Sequence, residues 1–131
     1  MPLRAFATNQ MLLNRIPLHT HESAMQEAIK MARLNPVYPF GAVITNIETG
    51  IVVAHGVNSG RINPTYHGEI VCINNYIEKF GNQHWENHIL YTTGEPCPMC
   101  MSALVWAGIG GVVFGSSIET ISRSGIGQIN V

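Results

Sequence analysis

The stretch Thr92-Thr93-Gly94-Glu95-Pro96-Cys97-Pro98-Met99-Cys100, read together with His67-Gly68-Glu69, decides the fold predicted for this chain. It closes the β-branched run 89–93, which predicts a strand. Pro98 then suits the first position of a helix, where its missing N–H has no intrahelical partner. The stretch therefore predicts a strand, a short turn and a helix, with both cysteines at the start of that helix.

Outside this stretch, helical patterns and β-branched runs alternate along the chain. Apolar residues at helical spacing predict helices, Gly81 predicts the end of one of them, and the turn 46–50 predicts a hairpin. The predicted elements are a helix from Thr20 or Ser23 to Asn35, strands 40–45 and 51–55, a helix from His67 to Gly81, strand 89–93, a helix from Pro98 to Gly108, and strand 112–115.

The predicted order is αββαβαβ, a pattern in which helices cover a mixed sheet through right-handed crossovers. Neither an internal repeat nor a linker divides the sequence, so residues 1–131 are expected to form a single domain. Residues 1–20 show no clear period and are predicted to form an arm or a docking segment. For residues 116–131 the pattern predicts no element.

Apolar spacing also predicts which side of each helix is buried. Cys72 lies off the helical face of His67 and is predicted to be a buried structural thiol. The inward-facing side chains of the second and third helices are predicted to be Ile70, Ile73, Ile77, Phe80, Met101, Leu104 and Val105.

Composition excludes several classes of protein. Only Lys30 and Lys79 are lysines and the net charge is −1, so the basic surface typical of nucleic-acid-binding proteins is absent and a nucleic-acid partner is disfavoured. No apolar stretch approaches the roughly 18 residues of a membrane span. The three cysteines show no long-range pairing pattern, which favours a reducing compartment, and the cytoplasm is the expected location.

The sequence also contains no aspartate. A Ser-His-Asp triad, an aspartyl dyad and an EF-hand loop are therefore excluded. Glutamates must supply every carboxylate function.

His67, Cys97 and Cys100 offer the ligand types that zinc prefers, and a catalytic zinc site uses three protein ligands and leaves the fourth position for water. The positive end of a helix dipole favours thiolates, so both cysteines are expected to be deprotonated. A single Cys-x-x-Cys is weak evidence for a catalytic zinc site, because this motif more often belongs to a structural zinc site or a redox pair, or arises by coincidence. His-x-Glu alone is equally weak, since a His at a helix start and a solvent-facing Glu need no metal.

The two halves occur together here, each at the start of a predicted helix, and H-x-E…P-C-x-x-C is typical of zinc-dependent nucleobase deaminases. From about residue 21 to residue 115 the chain resembles the cytidine deaminase-like superfamily, on the branch of guanine, cytosine and tRNA adenosine deaminases. The further segments that carry this resemblance are Pro39-Phe-Gly-Ala-Val-Ile44, Asn58, Asn63-Pro-Thr65, Leu90-Tyr-Thr-Thr93 and Val112-Val-Phe-Gly115.

The resemblance implies a three-layer α/β/α sandwich and hydrolytic release of ammonia from a nucleobase or nucleoside. It implies that His67, Cys97 and Cys100 bind Zn²⁺ and that Glu69 carries protons without being a zinc ligand. Relatives commonly form dimers through helices near the active site, so a homodimer is expected.

Three further residues are candidates for binding the substrate. Asn58 is similar to the asparagine that hydrogen-bonds the base in relatives, and the alternative is an ordinary turn role. Phe40 and Trp106 have flat aromatic faces that could wall the pocket, and the alternative for both is the core.

The substrate follows less directly from the resemblance. With Gly68 at its centre, the sequence His67-Gly68-Glu69 is similar to that of fungal cytosine deaminases. The segment Glu95-Pro-Cys-Pro-Met-Cys100 and the position of Trp106 resemble guanine deaminases instead. Guanine is therefore the favoured substrate. The alternatives are a cytosine or tRNA adenosine deaminase, and a non-catalytic subunit with structural zinc. Relatives generally continue through a fifth strand and further helices, so residues 1–131 are expected to lack the usual C-terminal strand and helix.

Overall fold

The computed structural model describes residues 10–126. Residues 10–15 are helical, a 3₁₀ turn spans Trp85–Asn87, and no helix within the described range is long and apolar enough to cross a membrane. The main elements, in chain order, are α1 (Leu18–Ala32), β1 (Gly41–Asn46), β2 (Val52–Val57), α2 (Gly68–Phe80), β3 (His88–Gly94), α3 (Pro98–Ala107), β4 (Gly111–Ser116) and α4 (Ile118–Arg123).

The four strands form one mixed sheet in the order β2-β1-β3-β4. β1 pairs antiparallel with β2 and β3, with Ile44 opposite Ala54 on one side and Leu90 on the other. β3 and β4 are parallel, as expected for two strands joined by a helix. The predicted order αββαβαβ and the mixed sheet are confirmed.

Helices cover both faces of the sheet, and the side chains of each strand alternate between two cores. On one face, α1 packs its small buried residues Ala24 and Ala28 against Val43, Ile89 and Tyr91. On the other face, α2 and α3 enclose the second core, which contains Ala42, Ile44, Ala54, Cys72, Tyr76, Leu90 and Leu104. The result is the expected three-layer α/β/α sandwich.

The start of α2 lies directly against the sheet because two glycines have no side chain there. A Cβ on Gly56 would lie 2.3 Å from the carbonyl oxygen of Gly68 and 2.4 Å from the backbone nitrogen of Cys72. A Cβ on Gly68 would lie 2.8 Å from the carbonyl oxygen of Phe40. Gly68 is therefore required by local packing, so its presence is a weak indicator of the substrate.

The N-terminal prediction needs correction. α1 begins at Leu18 after an N-cap at Pro17, so Thr20 and Ser23 lie inside the helix instead of capping it. The carbonyl of Pro17 accepts from the N–H groups of Thr20 and His21, which starts the helix one turn early. The described part of the expected arm, residues 10–20, is largely helical.

His21 fixes this N-terminal region to the sheet. Its Nε2 lies 2.9 Å from the carbonyl oxygen of Leu13, and its Nδ1 lies 2.7 Å from the hydroxyl of Tyr91. Because a carbonyl only accepts, Nε2 donates to it, and in the neutral imidazole Nδ1 accepts from the tyrosine. Burial raises the pKa of Tyr91 to about 12, so its hydroxyl keeps the proton that this bond needs.

The predicted inward faces of α2 and α3 are partly wrong. Ile73, Leu104 and the fully buried Cys72 face the core as predicted, while Ile70 and Met101 are only half-buried. The side chains of Ile77, Phe80 and Val105 are exposed, at 40%, 42% and 47%. The buried side of α2 is instead Glu69, Cys72, Ile73 and Tyr76, because the loop around Trp85 covers Tyr76.

A fourth helix, α4, follows β4, where the sequence pattern predicted no element. Ser117 caps it by accepting from the N–H of Thr120 at 3.1 Å, and Ile121 is buried. The carboxylate of Glu95 accepts from the N–H of Ile118 at 2.8 Å. Glu95 thereby connects the turn before Cys97 to the start of α4.

Candidate metal centre

The ends of two strands and the starts of two helices meet at the candidate centre. His67 is the N-cap residue of α2 and Cys97 is the N-cap residue of α3, both with extended backbone angles. Pro98 occupies the first turn of α3, as predicted, and Gly108 ends that helix in the left-handed conformation. Cys100 lies one turn into α3 and is fully buried.

His67, Cys97 and Cys100 come together as the sequence predicted. Their ligand atoms all lie within 4.8 Å of one another, and Cys97 Sγ is 3.4 Å from His67 Nδ1. Around one tetrahedral zinc with ordinary bond lengths, such atoms are about 3.5–3.8 Å apart. The observed spacing therefore needs only small adjustments to hold the ion.

The electrostatics of the cluster also suit a divalent cation. Desolvation lowers the pKa of His67, which favours the neutral imidazole that can bind a metal. Desolvation raises the pKa of Cys100 above its usual range, and the negative charges of Glu69 and Cys97 raise it further. The expected effect of the helix dipole is thus outweighed in the metal-free chain, and the Cys100 thiolate needs a cation to compensate these charges.

Glu69 lies in the first turn of α2 with only 5% of its surface exposed. Desolvation raises its pKa to about 7, while its own backbone N–H and a hydrogen bond with Cys100 act in the opposite direction. A bound dication nearby would also lower it. Glu69 is therefore a buried carboxyl beside the ligand cluster whose protonation is balanced between opposing effects.

The donor set fits zinc. Two thiolates and one imidazole are typical zinc ligands, and in residues 10–126 the cluster provides three of them, not the four of a closed structural site. Three protein ligands leave one coordination position for a water or a substrate atom. The arrangement is that of an open zinc site with a buried carboxyl beside it.

Asn58 and Phe40 lie next to the segments that carry the ligands. The N–H of Asn58 donates to the carbonyl of Phe40 at 3.0 Å, and that carbonyl also closely approaches Gly68. The ring of Phe40 is half-buried and lies near Gly94, three residues before Cys97. Asn58 Oδ1 accepts from the N–H of Gly60, so the turn role is present.

Trp106 does not lie near the cluster within one chain. Its side chain is 91% exposed, so the alternative of a core position is excluded. It lies about 13 Å along the helix axis from Cys97 and about 120° around the helix from Cys100. A role for Trp106 in the pocket stays a prediction.

The roles of Glu95 and Asn35 were not predicted from the sequence. Their side chains bind the backbone of segments that surround the metal centre. Glu95 binds the start of α4, and Asn35 Nδ2 donates to the carbonyl of Asn58 at 3.0 Å. Both hydrogen bonds join segments that are distant in sequence. The local sequence Asn35-Pro36 predicts a turn after a helix, and Glu95 has no such local signal. These contacts follow from the fold and not from a motif.

Comparison with known proteins agrees with this site. Residues 18–116 match the family described as the cytidine and deoxycytidylate deaminase zinc-binding region. The chain belongs to this family. The matched range contains every candidate ligand together with Glu69.

Relatives in the family act on different bases. Guanine deaminase of Bacillus subtilis is 36% identical over 93 residues, which is 66% of this chain. Its crystal structure has a TM-score of 0.74 with 31% identity, covering 82% of this chain and 71% of that one. The tRNA-specific adenosine deaminase of B. subtilis is 35% identical over 72% of this chain and 61% of its own length.

The probable cytosine deaminase of Schizosaccharomyces pombe is 32% identical over 76% of this chain. The chain spans 58% of the guanine deaminase and 62% of the cytosine deaminase. The three relatives differ little in identity, so the family of zinc-dependent deaminases is established more firmly than any one substrate.

Proposed function

We propose that this chain catalyses hydrolytic deamination of a nucleobase or nucleoside, with guanine as the favoured substrate. The observation that carries the proposal is the buried carboxyl of Glu69 beside a three-ligand His67, Cys97 and Cys100 cluster. A zinc ion held there would supply Lewis acidity that lowers the pKa of water at its open position to about 7.

Glu69 would move the protons of the reaction. Its carboxylate would take a proton from the attacking water and deliver it to the ring nitrogen beside the amino-bearing carbon. It would then assist transfer of a proton to the departing amino group, so that water and substrate give the carbonyl product and ammonia. A buried carboxyl with opposing effects on its pKa is suited to gain and lose a proton near neutral pH.

Asn58 and Phe40 are proposed to hold the base. Asn58 would hydrogen-bond the base through its side-chain amide, and the half-buried Phe40 ring would pack against the flat face of the base. The B. subtilis guanine deaminase, which is similar to this chain in sequence and in fold, supports guanine. We further propose that residues 1–131 act as one deaminase domain.

A non-catalytic zinc protein is the alternative from another class. It would not need a buried carboxyl at Glu69, and a structural site would be closed by a fourth ligand. The arrangement of residues 10–126 favours catalysis on both counts.

The test is ammonia release by zinc-loaded protein from guanine, cytosine, adenine, their nucleosides and a tRNA anticodon stem-loop. We expect turnover with guanine above that with every other compound. Highest turnover with cytosine or the stem-loop would reject guanine and keep the deaminase. Full zinc occupancy with no ammonia from any compound would reject the enzyme.

A further inference from the structure

Asn35 lies in the loop after α1, and its side chain makes hydrogen bonds in two directions. Its Oδ1 accepts from the backbone N–H groups of Val37 at 3.2 Å and Tyr38 at 3.0 Å. Its Nδ2 donates to the carbonyl oxygen of Asn58 at 3.0 Å. One side chain therefore fixes the turn before β1 and also reaches the loop after β2.

Asn58 is held from three sides. Its N–H donates to the carbonyl of Phe40 at 3.0 Å, and its carbonyl accepts from Asn35. Its side-chain Oδ1 accepts from the N–H of Gly60 at 3.1 Å. These bonds use both backbone groups and the side-chain oxygen, so the Nδ2 amide is the donor that can face a base.

We propose that Asn35 is a positioning residue for base binding. By holding the carbonyl of Asn58 while Phe40 holds its N–H, Asn35 sets the direction in which the Asn58 amide points. This inference rests on the proposed function, because it takes Asn58 to be the residue that binds the base. Asn35 itself does not contact the substrate and acts only through Asn58.

The substitution Asn35→Asp separates the two roles of this side chain. An aspartate can still accept from Val37 and Tyr38, so the turn is kept, but its second oxygen cannot donate to Asn58. Losing one hydrogen bond that orients a binding group should weaken base binding and raise KM by about three- to tenfold. The value of kcat should change little, because the lost contact acts equally on bound substrate and transition state.

Asn46→Asp is the matched control. Asn46 Oδ1 accepts from the N–H groups of Glu48 at 2.9 Å and Thr49 at 3.1 Å, so it makes the same kind of turn. It lies at the opposite end of β1 from Phe40 and Gly41. The control adds the same charge without touching the loop of Asn58, and base binding should stay unchanged.

The measurement is calorimetric binding of the base with the highest turnover in the panel to zinc-loaded Glu69→Ala protein, with KM and kcat measured in the Glu69 form. The loss of base affinity caused by Asn35→Asp should disappear when Asn58 is replaced by alanine.

An equal loss of affinity with and without Asn58→Ala, or an equal loss caused by Asn46→Asp, would overturn the inference and leave the proposed function intact. If Asn58→Ala does not weaken binding, the base-binding role of Asn58 fails and the inference with it. If no base in the panel binds, the proposed function fails too.

Discussion

At the scale of single residues, Glu69, Cys72 and Cys100 are all buried, and membership of the ligand cluster distinguishes Cys100 from Cys72. Glu69 and Cys100 lie together at the starts of α2 and α3, where desolvation raises the pKa of both groups. The charge of Glu69 raises the pKa of Cys100 further, whereas the hydrogen bond with Cys100 lowers the pKa of Glu69. Cys72 lies in the same core, and burial with the nearby charge of Glu69 raises its pKa well above the usual range. It lies outside the ligand cluster of residues 10–126, so it is expected to remain a neutral thiol.

Substitutions of Cys100 and Cys72 are therefore expected to have opposite effects on zinc binding. Cys100→Ala removes a ligand and should weaken zinc binding by more than the roughly 10–100-fold that loss of an outer hydrogen-bonding partner costs. Cys72→Ala should leave zinc at about one ion per chain, although the small cavity lowers stability. Zinc content after dialysis against a chelator is the measurement. Zinc retained equally by both variants would remove Cys100 from the ligand set, and equal loss from both would contradict the purely structural role of Cys72.

At the scale of elements, much of the fold was predictable from the sequence. Pro98, Gly81 and Gly108 mark helix ends by backbone rules that act locally, and all three predictions are confirmed. The inward faces were less predictable, because α3 is apolar almost all round and the cover over Tyr76 comes from a distant loop. α4 was missed although Ser117 caps it locally, and the contact of Glu95 with its start comes from a residue distant in sequence.

Gly56→Ala should separate α2 from the sheet. The new methyl group would lie 2.3–2.4 Å from backbone atoms of Gly68 and Cys72, and backbone cannot move aside as a flexible side chain can. We expect the free energy of unfolding to fall by about 1–3 kcal/mol or more. Urea denaturation measures this change. Gly60→Ala is the control, because its methyl would meet only the side-chain oxygen of Asn58 at 3.3 Å, and an equal loss there would contradict the close-packing explanation.

Glu95→Ala should loosen α4 without unfolding the domain. The N–H of Ile118 would lose its acceptor, which at a helix start costs about 0.5–2 kcal/mol. Hydrogen exchange at Ile118 should become faster, while exchange in β1 stays slow. Unchanged exchange at Ile118 would show that the Glu95 bond does not hold this helix.

At the scale of the whole molecule, the sequence motif predicts where the metal centre lies but does not identify the substrate. His67, Glu69, Cys97 and Cys100 were predictable because the motif fixes their positions on two helix starts. The surroundings of the ligand cluster were less predictable, since Asn58 and Phe40 are positioned by contacts between loops distant in sequence. The expectations for residues 1–9 and 127–131 lie outside the described part of the chain.

The expected homodimer stays a prediction. α3 exposes Met99, Val105 and Trp106, with Trp106 at 91%, an apolar face that a second copy could cover. Trp106→Glu should therefore shift a dimer toward the monomer in sedimentation velocity experiments at micromolar concentration. If the unsubstituted protein is a monomer, the predicted homodimer is contradicted. If the dimer is unchanged by Trp106→Glu, the predicted interface on α3 is contradicted.

The central claim, an open zinc site with Glu69 as its proton carrier, is tested by measuring zinc content and ammonia release on the same samples of native protein and Glu69→Gln. Gln has nearly the same shape but cannot carry the proton, and general acid–base catalysis contributes about 10²–10⁴-fold. The account predicts about one zinc per chain in both proteins and a rate reduced by at least that factor in the variant. Equal rates in the two proteins, with zinc retained in both, would contradict it.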